Sequence, residues 1–167
     1  HCDAARRLAA DVFGLDRPTR ARMHVIAHGN YDGVYPDTFD RTRAREALGL
    51  TANQVVFLFL GQIRRYKGVE ELIDAFRTIE HDDVRLVVAG RLDQPGLRRS
   101  LETQADRDPR VTLLPGNVPD DRIQVFLRAA DAMVLPYRDV LTSGSPVLAM
   151  TFGLPVVAPR LGCPPEA

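Results

Sequence analysis

The sequence predicts an α/β domain whose core is a doubly wound, parallel β-sheet. Five short segments from residue 54 onward are predominantly apolar, which is typical of strands buried on both faces. Between them, apolar residues recur at helical spacing, as Val69, Leu72, Ile73 and Phe76 do. Strands that are buried on both faces need helices on both sides of the sheet, so the predicted architecture is Rossmann-like.

The residues that precede this regular pattern predict two helices and one strand. Residues 4–13 form a predicted helix that ends at Gly14, and residues 23–27 form a predicted strand. A turn-rich stretch follows over residues 28–37, and a second predicted helix covers residues 41–48.

The regular part alternates strand and helix to the end of the pattern. Strands are predicted at 54–60, 84–89, 110–114, 132–135 and 155–158, and helices at 70–79, 97–104, 123–130 and 145–152.

Composition limits the kinds of function that the chain can have. Its 167 residues carry 22 basic and 22 acidic side chains, so the formal net charge is zero. This balance argues against a nucleic-acid binder, although a few cations gathered in one cleft would still suit a polyphosphate. No apolar run is long enough to span a bilayer. Cys2 and Cys163 have neither disulfide nor zinc spacing, so we expect no disulfide and a reducing, cytoplasmic compartment.

Ligands of doubly wound sheets bind beyond the carboxyl ends of the strands, which directs attention to the loops there. The loop after the first strand, residues 61–68, carries Arg64, Arg65 and Lys67. Guanidinium and ammonium groups suit phosphate oxygens, although a solvated basic loop would have the same composition. The glycine spacing of this loop matches neither a Walker P-loop nor a dinucleotide fingerprint.

The loop after the fourth strand, residues 139–146, has a helix-start pattern of serine and threonine before Pro146. Free backbone amides at such a helix start attract anions, although an ordinary capped helix explains the same residues. Both loops are predicted at the same edge of the sheet, one with cations and one with amides, and together they suit a diphosphate. Gly90 and Arg91, and likewise Asn117 and Val118, follow two other strands, where they either line a nucleobase pocket or form plain turns.

Four segments in register make the sequence resemble the nucleotide-sugar-binding half of family 4 (group 1) glycosyltransferases, which have the GT-B fold. The likeness runs in the correct order from about residue 28 to residue 166. The supporting segments are residues 61–69, 86–90, 129–137 and 149–158, and residues 162–166 resemble a Gly-x-x-Pro-Glu loop of the family.

The resemblance implies roles for individual residues. Lys67 corresponds to the basic residue that neutralises the donor diphosphate. The family's phosphate-binding arginine falls on Gln62, so we expect Arg64 to supply that charge as the second catalytic residue. The family's Glu-x7-Glu pair falls on Val140 and Leu148, which are not acidic. The remaining assignments are diphosphate binding by Gly61, Gln62, Ser143, Gly144 and Ser145, sugar binding by Asp139 and Thr142, and base and ribose binding by Gly90, Arg91, Asn117 and Val118.

The resemblance also implies the reaction and the organisation of the chain. We expect a hexose to pass from a UDP-sugar or GDP-sugar to an acceptor hydroxyl, with retention and without a metal or other cofactor. Residues 1–34 are expected to be the tail of an N-terminal acceptor domain and the interdomain linker. His28, Tyr31 and Tyr35 lie in or next to this linker, where they either reach the cleft or have structural roles. Residues 35–167 are expected to be the donor-binding domain, incomplete at its C-terminus and inactive on its own. The acceptor would be a glycan or a lipid-linked sugar, which allows peripheral association with the inner face of a membrane.

Two other interpretations remain at this point. A noncatalytic nucleotide-sugar-binding or regulatory module of the same fold would explain the missing glutamate pair. An unrelated doubly wound domain, such as a flavodoxin-like receiver, has less support, because no acidic pocket follows the first strand.

Overall fold

The sheet of the protein is parallel throughout and has the strand order β3-β2-β1-β4-β5. The structure is a computed structural model that describes residues 2–162. The chain forms β1, adds β2 and β3 outward on one side, and then returns to place β4 and β5 on the other side of β1. The strands are β1 (Val55–Leu60), β2 (Val84–Gly90), β3 (Val111–Pro115), β4 (Ala132–Val134) and β5 (Val156–Val157).

Helices cover both faces of this sheet. Because crossovers between parallel strands are right-handed, the change of direction after β3 puts the following helix on the opposite face. The helices are α1 (Asp3–Val12), α2 (Arg17–Ala21), α3 (Arg41–Ala47), α4 (Val69–Phe76), α5 (Pro95–Ala105), α6 (Asp120–Ala129) and α7 (Ser145–Thr151). Accordingly, α4 packs beside α5, and α3 packs beside α6. None of these helices of residues 2–162 is both long and apolar enough to cross a membrane.

The two central strands carry the middle of the hydrophobic core. Leu58 and Phe59 are neighbours in β1 and therefore point to opposite faces, yet neither is more than 1% exposed. Leu86 and Val87 in β2 are likewise buried, at 0% and 2% exposure. Burial of consecutive residues requires cover on both faces, so the doubly wound prediction is confirmed.

The predicted strand over residues 23–27 is wrong. The segment is extended, but it belongs to no strand of the sheet. Val25 is 40% exposed and Ile26 is 79% exposed. An extended segment becomes a strand only by pairing its backbone groups with a neighbour. In the described part of the chain nothing pairs with this segment.

The expectation that the cysteines form no disulfide is wrong for Cys2, which is disulfide-bonded. Cys2 is 4% exposed, and its sulfur also accepts a hydrogen bond from the Ala5 N–H at the start of α1. The second cysteine of the sequence, Cys163, lies outside the described residues.

An ionic cluster around the buried Arg45 holds α3 against the amino edge of the sheet. Arg45 in α3 is 3% exposed and donates to Asp131 Oδ2 over 2.8 Å. The same carboxylate accepts the Val56 N–H of β1 at 2.7 Å, and Arg41 donates to its other oxygen at 2.5 Å. Arg45 also donates to the carbonyl of Ala129, the last residue of α6. One carboxylate therefore joins α3 to the start of β1 and to the junction between α6 and β4.

Several carboxylates of the fold have pKa values below their ordinary range, and Asp108 and Asp131 are two of them. Hydrogen bonds from Arg110 lower the pKa of Asp108, against the opposing effect of burial. At Asp131 burial acts to raise the pKa, but the hydrogen bonds from the Val56 N–H and from Arg41 outweigh it. Such groups stabilise the fold at a pH above their unfolded pKa of about 3.9. That stabilisation is lost as the pH falls through the lowered, folded-state pKa.

We therefore expect the free energy of unfolding, measured by urea titration, to fall as the pH is lowered from about 5 to about 3. Asp108→Asn should reduce that fall, because the variant has no carboxylate to protonate at this position. Asp106→Asn, which changes an exposed carboxylate two residues earlier, serves as the control and should keep the wild-type dependence. An Asp108→Asn variant with an unchanged pH dependence would contradict the assignment.

Candidate functional site

A cleft of about 530 Å³ lies at the carboxyl edge of the sheet. It opens between β1 and β4, which are neighbours in the sheet although β2 and β3 lie between them in sequence. This reversal of the strand order is the switch point of a doubly wound sheet. Eleven of the thirteen predicted site residues line it. They are Gly61, Gln62, Lys67, Gly90, Arg91, Asn117, Val118, Thr142, Ser143, Gly144 and Ser145.

Two predicted site residues, Arg64 and Asp139, do not line the cleft. Arg64 has extended backbone (φ −139°, ψ 156°) immediately before the 3₁₀ turn Arg65–Lys67, and its side chain is exposed. Asp139 is exposed in the loop after β4. Arg64 and Lys67 are joined through the backbone, since the Lys67 N–H donates to the Arg64 carbonyl at 2.9 Å, but Arg64 does not line the cleft. The cations that line the cleft are Lys67 and Arg91.

Lys67 lines the cleft and is the single lysine of the sequence. A Cβ atom placed on Gly61 would lie 3.7 Å from Lys67 Nζ and 3.6 Å from Ser145 Oγ. The ammonium of one loop and the hydroxyl of another thus flank the same glycine. Among residues 2–162, no carboxylate lies within ion-pair distance of Lys67, so its charge faces the cleft without a counter-ion from that part of the chain.

Close packing of the strand ends explains a glycine at position 90. Gly90 has φ +144°, and a Cβ there would overlap the carbonyl oxygen of Gly61. The end of β2 therefore contacts the residue that follows β1 directly.

The serine loop is organised by Ser143. Its Oγ accepts the Ser145 N–H at 3.3 Å and shares a hydrogen bond of 3.0 Å with the Tyr137 hydroxyl. The helix that follows, α7, begins at Ser145 and has no side-chain cap. Ser143 therefore shapes the turn that carries Gly144 and Ser145 into the cleft.

Sequence reasoning assigned no site role to three tyrosines that line the cleft: Tyr31, Tyr66 and Tyr137. Tyr31 was expected either to reach the cleft or to have a structural role, and it lines the cleft. Its N–H donates to Thr151 Oγ1 of α7 at 3.2 Å, and its hydroxyl lies so close to Gly144 that a Cβ there would overlap it. No local sequence pattern indicates Tyr31 as a site residue. Tyr137 closely follows the fourth strand, so the rule that ligands bind beyond the carboxyl ends of the strands could have identified it.

The chemistry of the cleft suits an anion. Its described lining contains two cations, three side-chain hydroxyls of the 142–145 loop and no carboxylate. Over residues 2–162, no group of three or more His, Cys, Asp or Glu side chains is placed to hold a metal ion. Arg91 pairs with Asp93 at 2.6 Å, so Lys67 supplies the positive charge of the cleft that has no counter-ion among residues 2–162. The zero net charge of the chain is an average that conceals this charge.

The fold is a parallel, doubly wound sheet, and its cleft, which suits an anion, lies at the switch point. These two features define the class of α/β domain that binds ligands beyond the carboxyl ends of its strands. Within that class, the chain belongs to the group 1 glycosyl transferases, because the model of the family "Glycosyl transferases group 1" matches residues 54–167. The family predicted from the sequence is confirmed.

Individual relatives agree with this membership. The chain is 34% identical to a GDP-mannose:glycolipid 4-beta-D-mannosyltransferase from Xanthomonas campestris pv. campestris, over 95% of this chain and 47% of that protein. The crystal structure of Anabaena HepE in complex with UDP-glucose matches with a TM-score of 0.76 and 25% identity, over 95% of this chain and 43% of that chain. The chain therefore spans about half the length of such relatives.

The C-terminal domain of a group 1 glycosyl transferase (LpcC) from Francisella tularensis has the same fold. Its TM-score is 0.65 at 22% identity, and the match covers 83% of this chain and 74% of that domain. The predicted Rossmann-like fold of the C-terminal half of a GT-B protein is thus confirmed. The domain boundary predicted at residues 34 and 35 stays a prediction.

Proposed function

We propose that the chain is the donor-binding domain of a glycosyltransferase, and that its cleft holds the diphosphate of a nucleoside-diphosphate sugar. One observation carries the proposal. The Lys67 ammonium and the 143–145 loop meet at Gly61, in a cleft whose described lining contains no carboxylate. An ammonium group, hydroxyls and backbone amides are groups that bind phosphate oxygens.

The strand order indicates how the donor would lie. Gly90 and Arg91 follow β2, and Asn117 and Val118 follow β3, so these residues line one end of the cleft. The 142–145 loop follows β4 and lines the other end. We propose that the nucleoside occupies the β2 and β3 end, that the diphosphate lies at Gly61 and Gln62, and that the sugar lies near Thr142.

The proposed reaction is the transfer of a hexose to an acceptor hydroxyl. The bond between the anomeric carbon and the diphosphate oxygen breaks, the acceptor oxygen bonds to that carbon with retention of configuration, and the proton of the acceptor hydroxyl passes to the leaving diphosphate. Negative charge then develops on the leaving diphosphate, where Lys67 and the serine hydroxyls stabilise it. Groups held in place before the reaction are effective, because they need no reorganisation as the charge forms. We propose that these groups suffice without a metal ion.

The acceptor half of the proposal reaches beyond this chain. A glycan or a lipid-linked sugar would be held by a second domain, and the complete enzyme would work in the cytoplasm at the inner face of the membrane. The relative from Xanthomonas is named for a glycolipid acceptor, which supports this choice.

A second candidate is a noncatalytic nucleotide-sugar-binding module of the same fold. The observation that favours it is apolar side chains where the resemblance implies an acidic pair, since Val140 and Leu148 both line the cleft. The two candidates share the donor site and differ in whether sugar is transferred. A complete protein that binds a donor sugar but transfers nothing to any glycan or lipid acceptor would support the module.

The single lysine permits a direct test of the donor site. When lysine is labelled with ¹³C in its side chain, the lysine signal in the NMR spectrum comes from Lys67 alone. We expect titration with UDP or GDP to displace that signal, because the diphosphate would bind the ammonium. UMP and GMP, which lack the second phosphate, are the matched controls and should displace it less. A Lys67 signal that is unmoved by millimolar UDP and GDP would contradict the proposal.

A further inference from the structure

The segment that follows β4, residues 136–138, packs directly against the first loop of the cleft. The carbonyl oxygen of Pro136 lies where a Cβ on Gly68 would be, and Gly68 has φ +69°. The Arg138 N–H donates to the Tyr66 carbonyl at 2.8 Å, and the Arg138 side chain pairs with Glu71. The backbone on both sides of Tyr137 is therefore held against the loop that carries Lys67.

The side chain of Tyr137 joins that loop to the serine loop. It is 3% exposed, and Lys67 Nζ lies 5.1 Å from the centre of its ring. At the other end of the ring, the hydroxyl makes the 3.0 Å hydrogen bond with Ser143 Oγ. One buried side chain thus contacts the Lys67 ammonium at Gly61 and Ser143 of the loop whose Ser145 hydroxyl also flanks Gly61.

This arrangement gives Lys67 a partner that does not neutralise it. A lysine side chain is flexible and loses entropy when its ammonium is held in one place. A carboxylate would hold the ammonium but would also compete with a phosphate for it. An aromatic face attracts the cation and carries no net charge, so the ammonium is oriented while its full charge stays available to a ligand.

We propose that Tyr137 is a positioning residue that holds Lys67 and Ser143 at the spacing that a diphosphate needs. The inference rests on the proposed function for its ligand, whereas the contacts themselves do not depend on that function. Tyr137 acts through the two residues and has no assigned contact with the reacting atoms.

Two variants separate the two contacts. Tyr137→Phe keeps the ring beneath Lys67 and removes the hydroxyl, whereas Tyr137→Leu removes both and stays apolar. Phe76→Leu is the matched control, because Phe76 is also 3% exposed beneath a cation, Arg110, at 5.2 Å from the ring centre. Arg110 and Phe76 lie outside the cleft lining.

The first measurement is the signal of the single lysine without any ligand. The ring current of Tyr137 shields the lysine protons next to Nζ, so we expect their signals to move toward random-coil values in Tyr137→Leu. They should stay close to the wild-type values in Tyr137→Phe and in Phe76→Leu. A folded Tyr137→Leu variant with the wild-type lysine signal would overturn the inference.

The second measurement is the affinity for UDP or GDP, whichever binds more tightly. Loss of one hydrogen bond should weaken binding about 2- to 10-fold in Tyr137→Phe, and Tyr137→Leu should lose more. In a cycle with Ser143→Ala, the double variant Tyr137→Phe with Ser143→Ala should bind no worse than Ser143→Ala alone, because both changes break the same hydrogen bond. A double variant whose loss of affinity equals the product of the two single losses would overturn the inference. Unchanged affinity in Tyr137→Phe would also overturn it.

The two measurements distinguish failure of the inference from failure of the proposed function. If the wild-type chain binds neither nucleotide while the lysine signal still depends on the Tyr137 ring, the contacts stand and the diphosphate ligand is refuted. Circular dichroism shows whether Tyr137→Leu folds. If it does not, the affinity cycle of Tyr137→Phe with Ser143→Ala decides whether the two loops are coupled through this hydrogen bond.

Discussion

Replacing Lys67 with methionine is expected to weaken UDP or GDP binding by about 10- to 100-fold, because a hydrogen bond to a charged group contributes about 1.5–3 kcal/mol. The change removes the ammonium beside Gly61 and keeps a flexible, apolar side chain of similar length. In the complete enzyme the turnover number should fall by about 10²- to 10³-fold, since charge develops on the diphosphate as the bond breaks. Isothermal titration calorimetry measures the first effect and a transfer assay the second.

Two arginine variants show whether the loss of affinity is specific to Lys67. Arg107→Met removes one positive charge near the opposite edge of the sheet, from a side chain that is exposed, and should leave affinity unchanged. Arg64→Met tests the role implied by the family resemblance against the placement of Arg64 outside the cleft. An effect of Arg64→Met as large as that of Lys67→Met would restore Arg64 to the site. Wild-type affinity in Lys67→Met would refute the diphosphate assignment.

Replacing Asp131 with alanine is expected to lower the free energy of unfolding by about 3 kcal/mol, because it leaves Arg45 buried without its carboxylate. Arg45 is 3% exposed, so its guanidinium has little access to water that would replace the lost partner. The Val56 N–H would lose its acceptor as well. The expected value is at the low end for a broken buried pair, since Asp131 itself keeps 32% exposure. Urea unfolding at pH 7 measures the change.

A double variant separates the buried charge from the loss of packing. Arg45→Met with Asp131→Leu removes both charges and keeps apolar groups, and it should be less destabilised than Asp131→Ala. A single Asp131→Ala variant that is destabilised by less than about 0.5 kcal/mol would show that the cluster contributes no more than an ordinary surface position. In that case α3 would be held mainly by the apolar contacts of Ala44 with Val125 and Ala129.

The fold was predictable from the sequence, because continuous apolar runs and helical stripes report burial directly. The run at residues 54–60 predicted β1, which covers Val55–Leu60. The helical stripe predicted a helix at residues 70–79, and the structure has α4 there, although it ends three residues earlier, at Phe76. The segment at residues 23–27 has an equally plausible strand composition, yet it is unpaired. Composition describes the preference of a segment, whereas pairing depends on a neighbour that the local sequence does not specify.

The candidate site was predictable at the level of loops and less so at the level of side chains. Loops after parallel strands must meet at one edge, which is why eleven predicted residues line the cleft. Arg64 and Lys67 are three positions apart in one loop, but only Lys67 lines the cleft, because the 3₁₀ turn redirects the chain between them. Tyr31 is distant in sequence and reaches the cleft through its contact with Thr151.

The sequence by itself determined the parallel sheet, its helices and the edge at which a ligand would bind, because these follow from hydrophobic periodicity and from the chirality of the connections. It also placed cations in the first loop. Only the tertiary structure decided which cation faces the cleft, that a tyrosine ring holds it, and that a carboxylate far along the chain pairs with Arg45. Such contacts join residues that are remote in sequence, so they depend on how the helices and strands pack and have no signature in any local stretch of residues.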